Sequence, residues 1–343
     1  MMKNQVVVVG GGFTGLVNAY LLEETDLFEE HGSVGFPPHC TGLVSLRFVN
    51  TLGSIAKDNI LNEYKHIVVK DLNSRDLIIL RVGKIFRLAR EKLEKDLLKE
   101  AIDKGSRIYT RSKVVDLDLV SSNSKICLKI RAEDHYETRC YDKNDLIIIA
   151  DGVLGELSKR FIERSRKDLV TGIQIIARIN SFSEDMDTIY VFVDRNIFPN
   201  FFGWLIPISS NKVIVGGGFP LDSRANIRFR YFLHRLERNS LLRNYMINKI
   251  YGGLITRSLS THHVYGNIVV AGDAAGLTKA FTGGGLYPSL YQAIAIKESF
   301  EKISDVEEFR NIYYTYMRGF LRELILQRFV TYRIINFGVE NFV

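Results

Sequence analysis

Val6 to Val9 are four consecutive β-branched residues with no polar face. Such a run fits a strand covered on both sides, as in the interior of a parallel sheet. It stops at Gly10-Gly11-Gly12, after which Leu16, Val17, Ala19, Tyr20 and Leu21 continue as a helix-forming stretch. Leu146 to Ala150 is a second apolar run and leads into Asp151-Gly152. A third, Asn267 to Ala271, leads into Gly272-Asp273-Ala274-Ala275-Gly276, and Phe281-Thr282-Gly283-Gly284-Gly285 then opens another helix. These segments repeat one design of buried strand, glycine-containing turn and helix start, and turns of this kind at strand ends can converge on one extended ligand. Between them, Leu88 to Lys104 sets Leu93, Leu97, Leu98 and Ala101 on one face and charges on the other, an amphipathic helix ending at Gly105. Strand patterns occupy Lys65 to Lys70, Leu77 to Val82, Arg107 to Tyr109, Val114 to Val120 and Lys125 to Ile130. His31 to Ser45, broken by Gly32, Gly35, Pro37, Pro38 and Gly42, reads as a shaped loop. The β-branched and aromatic alternation of Val170 to Thr261 predicts a separate sheet, interrupted by a helix around Ile227 to Glu237. The pattern as a whole is α/β.

Within the first turn, Gly10, Gly12 and Gly15 form G-x-G-x-x-G. The first glycine permits the tight turn, the second lets backbone N–H groups approach a pyrophosphate, and the third lets helix pack on strand. A structural glycine turn is the competing reading. An acid closing the second strand, placed to hold a ribose hydroxyl, separates the two, and Thr25-Asp26-Leu27-Phe28-Glu29 supplies Glu29. An acid there, rather than Arg, suggests an unphosphorylated ribose, as in FAD or NAD. Glu30 is the neighbouring alternative.

Composition narrows the partners. The 343 residues suffice for two domains, and 46% hydrophobic with 25% charged residues describes an ordinary globular chain. A net charge of +7 favours anionic surfaces, but no dense Lys/Arg tract supports nucleic-acid binding. Cys40, Cys127 and Cys140 lack metal spacing and leave one thiol over in any disulfide scheme, which favours a reducing compartment. With a buried strand starting at residue 6 and no run of 18 apolar residues, neither a secretory leader nor a membrane span is expected. The expected location is cytoplasmic, with peripheral contact at a membrane face as a further expectation. His262-His263 has no carboxylate at ligand spacing, so no metal site is expected.

GGGFTG with Glu29, Arg90 at the start of its helix, IIIADG at Ile147 to Gly152 and IVVAGDAAG at Ile268 to Gly276 together resemble the FAD-dependent oxidoreductases of the p-hydroxybenzoate hydroxylase fold. Within that superfamily, VGFPPHCTG and FFGWLIP resemble the geranylgeranyl reductase family, with its Pro-x-x-x-Cys-like loop and Gly-Trp-x-x-Pro signature. The resemblance extends to about residue 300. It implies an FAD-binding Rossmann-like domain with an inserted mixed or antiparallel β-sheet substrate domain and a C-terminal helical segment. The corresponding boundaries are 1–65, 83–165 and 265–304 for the flavin domain, 66–82 and 166–264 for the sheet domain, and 305–343 for the last segment.

Carried over position by position, the resemblance assigns Gly10, Gly12, Thr14 and Gly15 to the pyrophosphate, Glu29 to the adenosine ribose and the Val115 backbone to adenine. Arg90 and Asp273 would contact the pyrophosphate and ribityl portion. Gly284, Gly285 and Leu286 would approach the isoalloxazine through backbone groups, and Cys40, Thr41 and Gly42 would line the flavin. The plainer alternatives are a solvated helix charge for Arg90 and a turn residue for Asp273, and both rank below the flavin-contact reading.

Reduced FAD delivers hydride to a carbon–carbon double bond, and a second group must protonate the other carbon. Cys40 is the candidate proton source or alkene-positioning group. His39 beside it is better matched in pKa. Tyr190, Phe192, Phe198, Phe201, Phe202 and Trp204, with Pro199 and Pro207, are suited to an isoprenoid tunnel, while an aromatic sheet core is the plain alternative. The family match at Phe202, Gly203, Trp204 and Pro207 favours a pocket wall. The expected activity is FAD-dependent saturation of C=C bonds in a geranylgeranyl or polyprenyl chain, on a lipid precursor or a prenylated quinone or alcohol. No second G-x-G-x-x-G is present, so electrons are expected from transient NAD(P)H contact or a ferredoxin-like carrier. The rivals are an FAD-dependent aromatic hydroxylase or monooxygenase and a flavoprotein electron carrier. Val306 to Val343 mixes aromatic and aliphatic residues with Arg310, Arg318, Arg322, Arg328 and Arg333. This pattern fits a helix packed on the flavin domain or one resting on an anionic lipid surface.

Overall fold

The computed structural model describes residues 4–35, 40–73, 75–120, 125–302 and 306–337. In chain order these form β1 (Val6–Val9), α1 (Phe13–Leu22), β2 (Thr25–Phe28), β3 (Leu43–Ser45), α2 (Leu46–Leu52), α3 (Ser54–Lys57), β4 (Ile60–Lys70) and β5 (Asp76–Leu88). Next come α4 (Arg90–Asp103), β6 (Arg107–Tyr109), β7 (Ser112–Val120), β8 (Lys125–Ala132), β9 (His135–Asp142) and β10 (Leu146–Ile149). The chain continues through β11 (Leu169–Arg178), β12 (Thr188–Phe192), β13 (Gly203–Ser209), β14 (Lys212–Pro220), α5 (Ala225–Arg238) and β15 (Met246–Thr256). It finishes with β16 (Val264–Tyr265), β17 (Ile268–Val270), α6 (Leu286–Phe300) and α7 (Val306–Phe337).

The chain divides into two units. The first comprises residues 1–37, 91–164 and 257–343, and the second 38–90 and 165–256. The first holds a six-stranded sheet in the order β16-β17-β10-β1-β2-β6, parallel except for the β16–β17 pair. The three apolar runs of the sequence are neighbours at its centre, where Val6 pairs with Leu146 and Ile147 with Ile268. No residue of β1 or β10 is more than 5% exposed, as expected for strands covered on both faces. A separate antiparallel sheet, β7-β8-β9, joins this unit and shares a core with it through Leu117, Ile126, Leu128 and Ile130.

The second unit is one eight-stranded sheet, β15-β11-β14-β13-β12-β4-β5-β3, antiparallel except where β12 lies parallel to β4. Alternation along its strands sorts side chains between two faces. On one face Leu205, Val213, Val215, Tyr190 and Phe192 pack under Phe229, Phe232 and Leu236 of α5. On the other, Tyr64, Ile189, Ile206 and Ile214 form a smaller cluster with half-buried Trp204 against it. The Tyr64 hydroxyl donates to the Pro207 carbonyl at 2.7 Å, and burial pushes its pKa up to about 12.

Three expectations need revision. The sheet unit takes all of 38–90 rather than 66–82, because β3 pairs with β5 and β4 starts at Ile60, which commits that whole stretch to the eight-stranded sheet. The first unit's last segment starts at Arg257 rather than 265. Tyr190, Phe192 and Phe198 belong to the α5-side core, so the plain reading of aromatic core holds for these three. Cys127 and Cys140, directly opposed on β8 and β9, form a disulfide, and Cys40 is the remaining thiol. Among the described residues no helix is long and apolar enough to cross a membrane.

Phe232 is fully buried and meets Phe192 and Phe198 edge-on, with ring centroids 5.3 and 4.9 Å away. Phe232→Ala is expected to destabilise the protein by about 3–5 kcal/mol, read from urea denaturation.

Candidate functional site

The G-x-G-x-x-G turn has the geometry its spacing implies. Gly10 sits at φ 103°, a backbone region where other residues are strained, and its N–H bonds the Phe28 carbonyl at 2.8 Å. Any Cβ on Gly15 would overlap the Gly10 carbonyl oxygen, so only glycine lets α1 come this close to the end of β1. Gly12 is the N-cap of α1, has no side-chain cap and faces open space where a Cβ would stand. An uncapped helix start with open space before it suits an anion.

Glu29 closes β2 as predicted. Although only 6% exposed, its carboxylate accepts from the Gly11 N–H at 2.6 Å and the His31 N–H at 2.7 Å, and His31 Nδ1 lies 2.6 Å away. Glu30 instead pairs with Lys113 at 2.9 Å in a half-exposed ion pair. Val115 falls where the β7–β8 register shifts between Val114 and Asp116. Such a bulge leaves a residue out of the ladder.

The third turn joins the first within this unit. The Thr14 hydroxyl donates to Ser289 Oγ of α6 at 3.0 Å, and a Cβ on Gly272 would run into the Thr14 side chain. Where Gly285 stands as N-cap of α6, an added Cβ would come 2.6 Å from Asp273 Oδ1. Gly10, Gly12, Thr14, Gly15, Asp273, Gly285 and the first residue of α6, Leu286, are thus gathered at one end of the sheet. Gly284 lies just before them, its N–H on the Thr282 hydroxyl at 3.3 Å. Arg164 ties in the second turn. Its guanidinium donates to the carbonyls of Gly152, Val153 and Ala274 and to Ser158 Oγ, linking the ends of β10 and β17. Burial lowers its pKa, against the carboxylates of Asp151 and Asp273. No motif marked Arg164 in the sequence, and its partners are mostly carbonyls, which leave no residue-type signal.

A buried relay supports the third turn from behind. Gln292 of α6 accepts from the Gly272 N–H at 2.8 Å and donates to the Val270 carbonyl at 3.0 Å and to the Tyr313 hydroxyl at 2.9 Å. Tyr313 of α7 in turn lies 2.8 Å from His263 Nδ1, while His263 Nε2 lies 2.8 Å from the Ser260 carbonyl. A carbonyl only accepts, so Nε2 carries the proton and Nδ1 accepts from Tyr313. Burial drives His263 down to about 4 and Tyr313 well above the usual tyrosine range. Both ring nitrogens are engaged, consistent with His263 serving structure.

In the second unit, Cys40, Thr41 and Gly42 lie against the end of β5. Leu88 N–H donates to the Gly42 carbonyl at 2.9 Å, and a Cβ on Gly42 at φ 81° would meet the Leu88 carbonyl and Arg90 Cγ. Cys40 is exposed, and its Sγ accepts from the Gly42 N–H at 3.4 Å. His39 lies outside the described residues. On β13, Trp204 faces the Tyr64 side of the sheet, whereas Gly203 and Pro207 alternate to the α5 side. Phe202 stacks on Phe201 at 4.6 Å and meets Trp204 edge-on at 6.0 Å. The Trp204 ring lies over Gly216, where a Cβ would come within 2.5 Å of it. A separate cavity of about 680 Å³, lined by Phe161, residues 258–262, Tyr265 and Arg310, includes no predicted site residue.

No protein-family model matches the chain. Over 99% of its length it is 25% identical to a digeranylgeranylglycerophospholipid reductase of Thermoplasma volcanium, covering 88% of that protein. Its fold is shared with a geranylgeranyl bacteriochlorophyll reductase-like protein of Thermoplasma acidophilum, with TM-score 0.83, 20% identity and coverage of 96% of this chain and 87% of that one. It is shared more distantly with a p-nitrophenol 4-monooxygenase of Pseudomonas putida, with TM-score 0.76, 14% identity and coverage of 97% and 89%.

The relay makes stability depend on acid. A histidine titrates near 6.5 when unfolded and at about 4 here, so its contribution is complete above about pH 6.5 and is lost as pH falls through 4. Melting temperatures of wild type and His263→Phe are expected to converge across this window as pH is lowered, because the phenylalanine variant lacks that titration.

Proposed function

We propose that this chain is an FAD-dependent reductase of carbon–carbon double bonds in the geranylgeranyl or polyprenyl chain of a lipid. The observation that carries the reading is the gathering of the strand-end turns, through Thr14–Ser289, Gly272 and Asp273–Gly285, at one end of a parallel sheet. The near full-length likeness to a named digeranylgeranylglycerophospholipid reductase supports the substrate class. FAD, when bound, supplies hydride to the alkene.

The chain's own residues have separable tasks. Gly10, Gly12, Thr14 and Gly15 would hold the pyrophosphate against the start of α1, and Arg90 and Asp273 would contact it and the ribityl portion. Glu29, already oriented by the Gly11 and His31 N–H groups, would accept from a ribose hydroxyl. The bulge at Val115 leaves its backbone for adenine. Gly284, Gly285 and Leu286 would offer backbone groups to the isoalloxazine. Cys40, exposed in a loop fixed by Gly42, with Thr41, is the group assigned to proton delivery, and His39 is its neighbour in that task. Phe202 and Trp204 would wall the isoprenoid, with Gly203 and Pro207 fixing the strand that carries them. Electrons would come from NAD(P)H or a ferredoxin-like carrier.

Two measurements test this. Glu29→Ala is expected to copurify with less flavin than wild type and to bind added FAD about tenfold more weakly, one charge-assisted hydrogen bond's worth. Unchanged retention would remove Glu29 from the ribose role. Second, the dithionite-reduced protein is mixed anaerobically with a geranylgeranyl lipid while flavin absorbance and lipid mass are followed. Reoxidation with gain of two hydrogens per bond is expected. Flavin that stays reduced removes the prenyl assignment and favours an oxygen-using hydroxylase or an electron carrier.

A further inference from the structure

One side of α7 is sealed within the first unit, with Phe309, Tyr313, Met317, Phe320, Leu321 and Leu324 all buried. The opposite side changes character along its length. Glu307, Glu308, Asn311 and Thr315 come first, then Arg318 and Arg322, and finally Ile325, Leu326, Phe329 and Val330, which are 48%, 62%, 55% and 46% exposed. At 3.6 residues per turn these ten positions share one face, about 35 Å long. The face therefore runs from acidic and neutral polar through cationic to apolar, its apolar part lying at residues 325–330. A helix that were simply a packed element would carry polar residues on its outer side throughout.

We propose that this face of α7 docks the protein on an anionic lipid surface. Ile325, Leu326, Phe329 and Val330 enter the acyl boundary. Arg318 and Arg322, one to two turns back on the same face, lie level with the phosphates, their alkyl stems along the apolar zone. The net charge of +7 adds general attraction to such a surface. Charge also weighs against a parallel second copy, since laying the two apolar stripes in register would set Arg318 and Arg322 against their mates. Glu323, at the margin of the face, is hydrogen-bonded by Gln327 at 3.0 Å. The proposal rests on the isoprenoid-lipid reading for its purpose, since a lipid substrate resides in the surface to which α7 would hold the enzyme.

The test is cosedimentation of the full chain with phosphatidylcholine vesicles, with and without phosphatidylglycerol. Wild type is expected to bind the anionic vesicles at least about tenfold more tightly than the neutral ones, with the difference removed by high salt. Arg318→Glu with Arg322→Glu is expected to remove the preference for anionic lipid. Leu326→Ser with Phe329→Ser is expected to weaken binding to both. All these positions are exposed, so the helical circular dichroism signal should be unchanged. Equal, weak sedimentation of wild type and both variants overturns the proposal. So does a concentration-dependent dimer in analytical ultracentrifugation that Leu326→Ser with Phe329→Ser dissolves, since the face would then belong to a second copy. Reduction of a detergent-dispersed prenyl lipid is assayed alongside. Activity without vesicle binding sinks the docking and spares the reductase reading, and vesicle binding without activity does the reverse.

Discussion

The close approach of α1 to the end of β1 is the constraint on which the first unit depends. With no side chain at Gly15, the helix start rests on the Gly10 carbonyl, and this fixes where the first helical N–H groups point. Thr14 can then reach Ser289, Gly272 can lie against Thr14, and the start of α6 falls beside Asp273. A larger residue at position 15 would lift α1 from the sheet and separate the turns as a group. The parallel pairing of β1, β10 and β17 adds the other half of the constraint, since it sends all three strand ends the same way.

Much of this was legible because it is local. Unbroken apolar runs report burial on two faces, glycine spacing reports backbone approach, and Glu29 follows its strand directly. The amphipathic pattern of α4 and the strand at Arg107 to Tyr109 were equally readable. What escaped depends on distance along the chain. The Gln292–Tyr313–His263 relay joins residues 50 and 21 positions apart, and none is unusual in its own segment. Arg164 looked like any surface arginine until its carbonyl partners from two turns were visible. Commitment of β3 and β4 to the second sheet was hidden because a pairing partner, unlike a burial pattern, leaves no mark within a strand.

The second unit shows how alternation resolves what composition leaves mixed. Six aromatic residues looked like one set, but strand parity sends Tyr190 and Phe192 to the α5 side and Trp204 to the other. Glycines in β14 then decide where rings can lie flat on the sheet, as Gly216 does under Trp204. The chemistry assigned to Cys40 is of a different kind. It depends on a short loop held by Gly42 and Leu88, and a single thiol has no periodicity to betray its role.

The hydrogen bonds from α7 to the third turn bear on how the protein is made. β1 meets β2 after a single helix, with β2 starting at Thr25, but its other neighbour, β10, begins at Leu146, and the relay that braces Gly272 needs Tyr313. At translation rates of about 5–20 residues per second, the amino-terminal strand emerges many seconds before its second partner. The nascent chain thus carries an all-valine edge through much of its synthesis, and the brace behind Gly272 closes only once α7 has been made. Residues far apart along the chain are in this sense coupled in time, and a ribosome stalled before α7 would release a chain whose third turn is not yet braced.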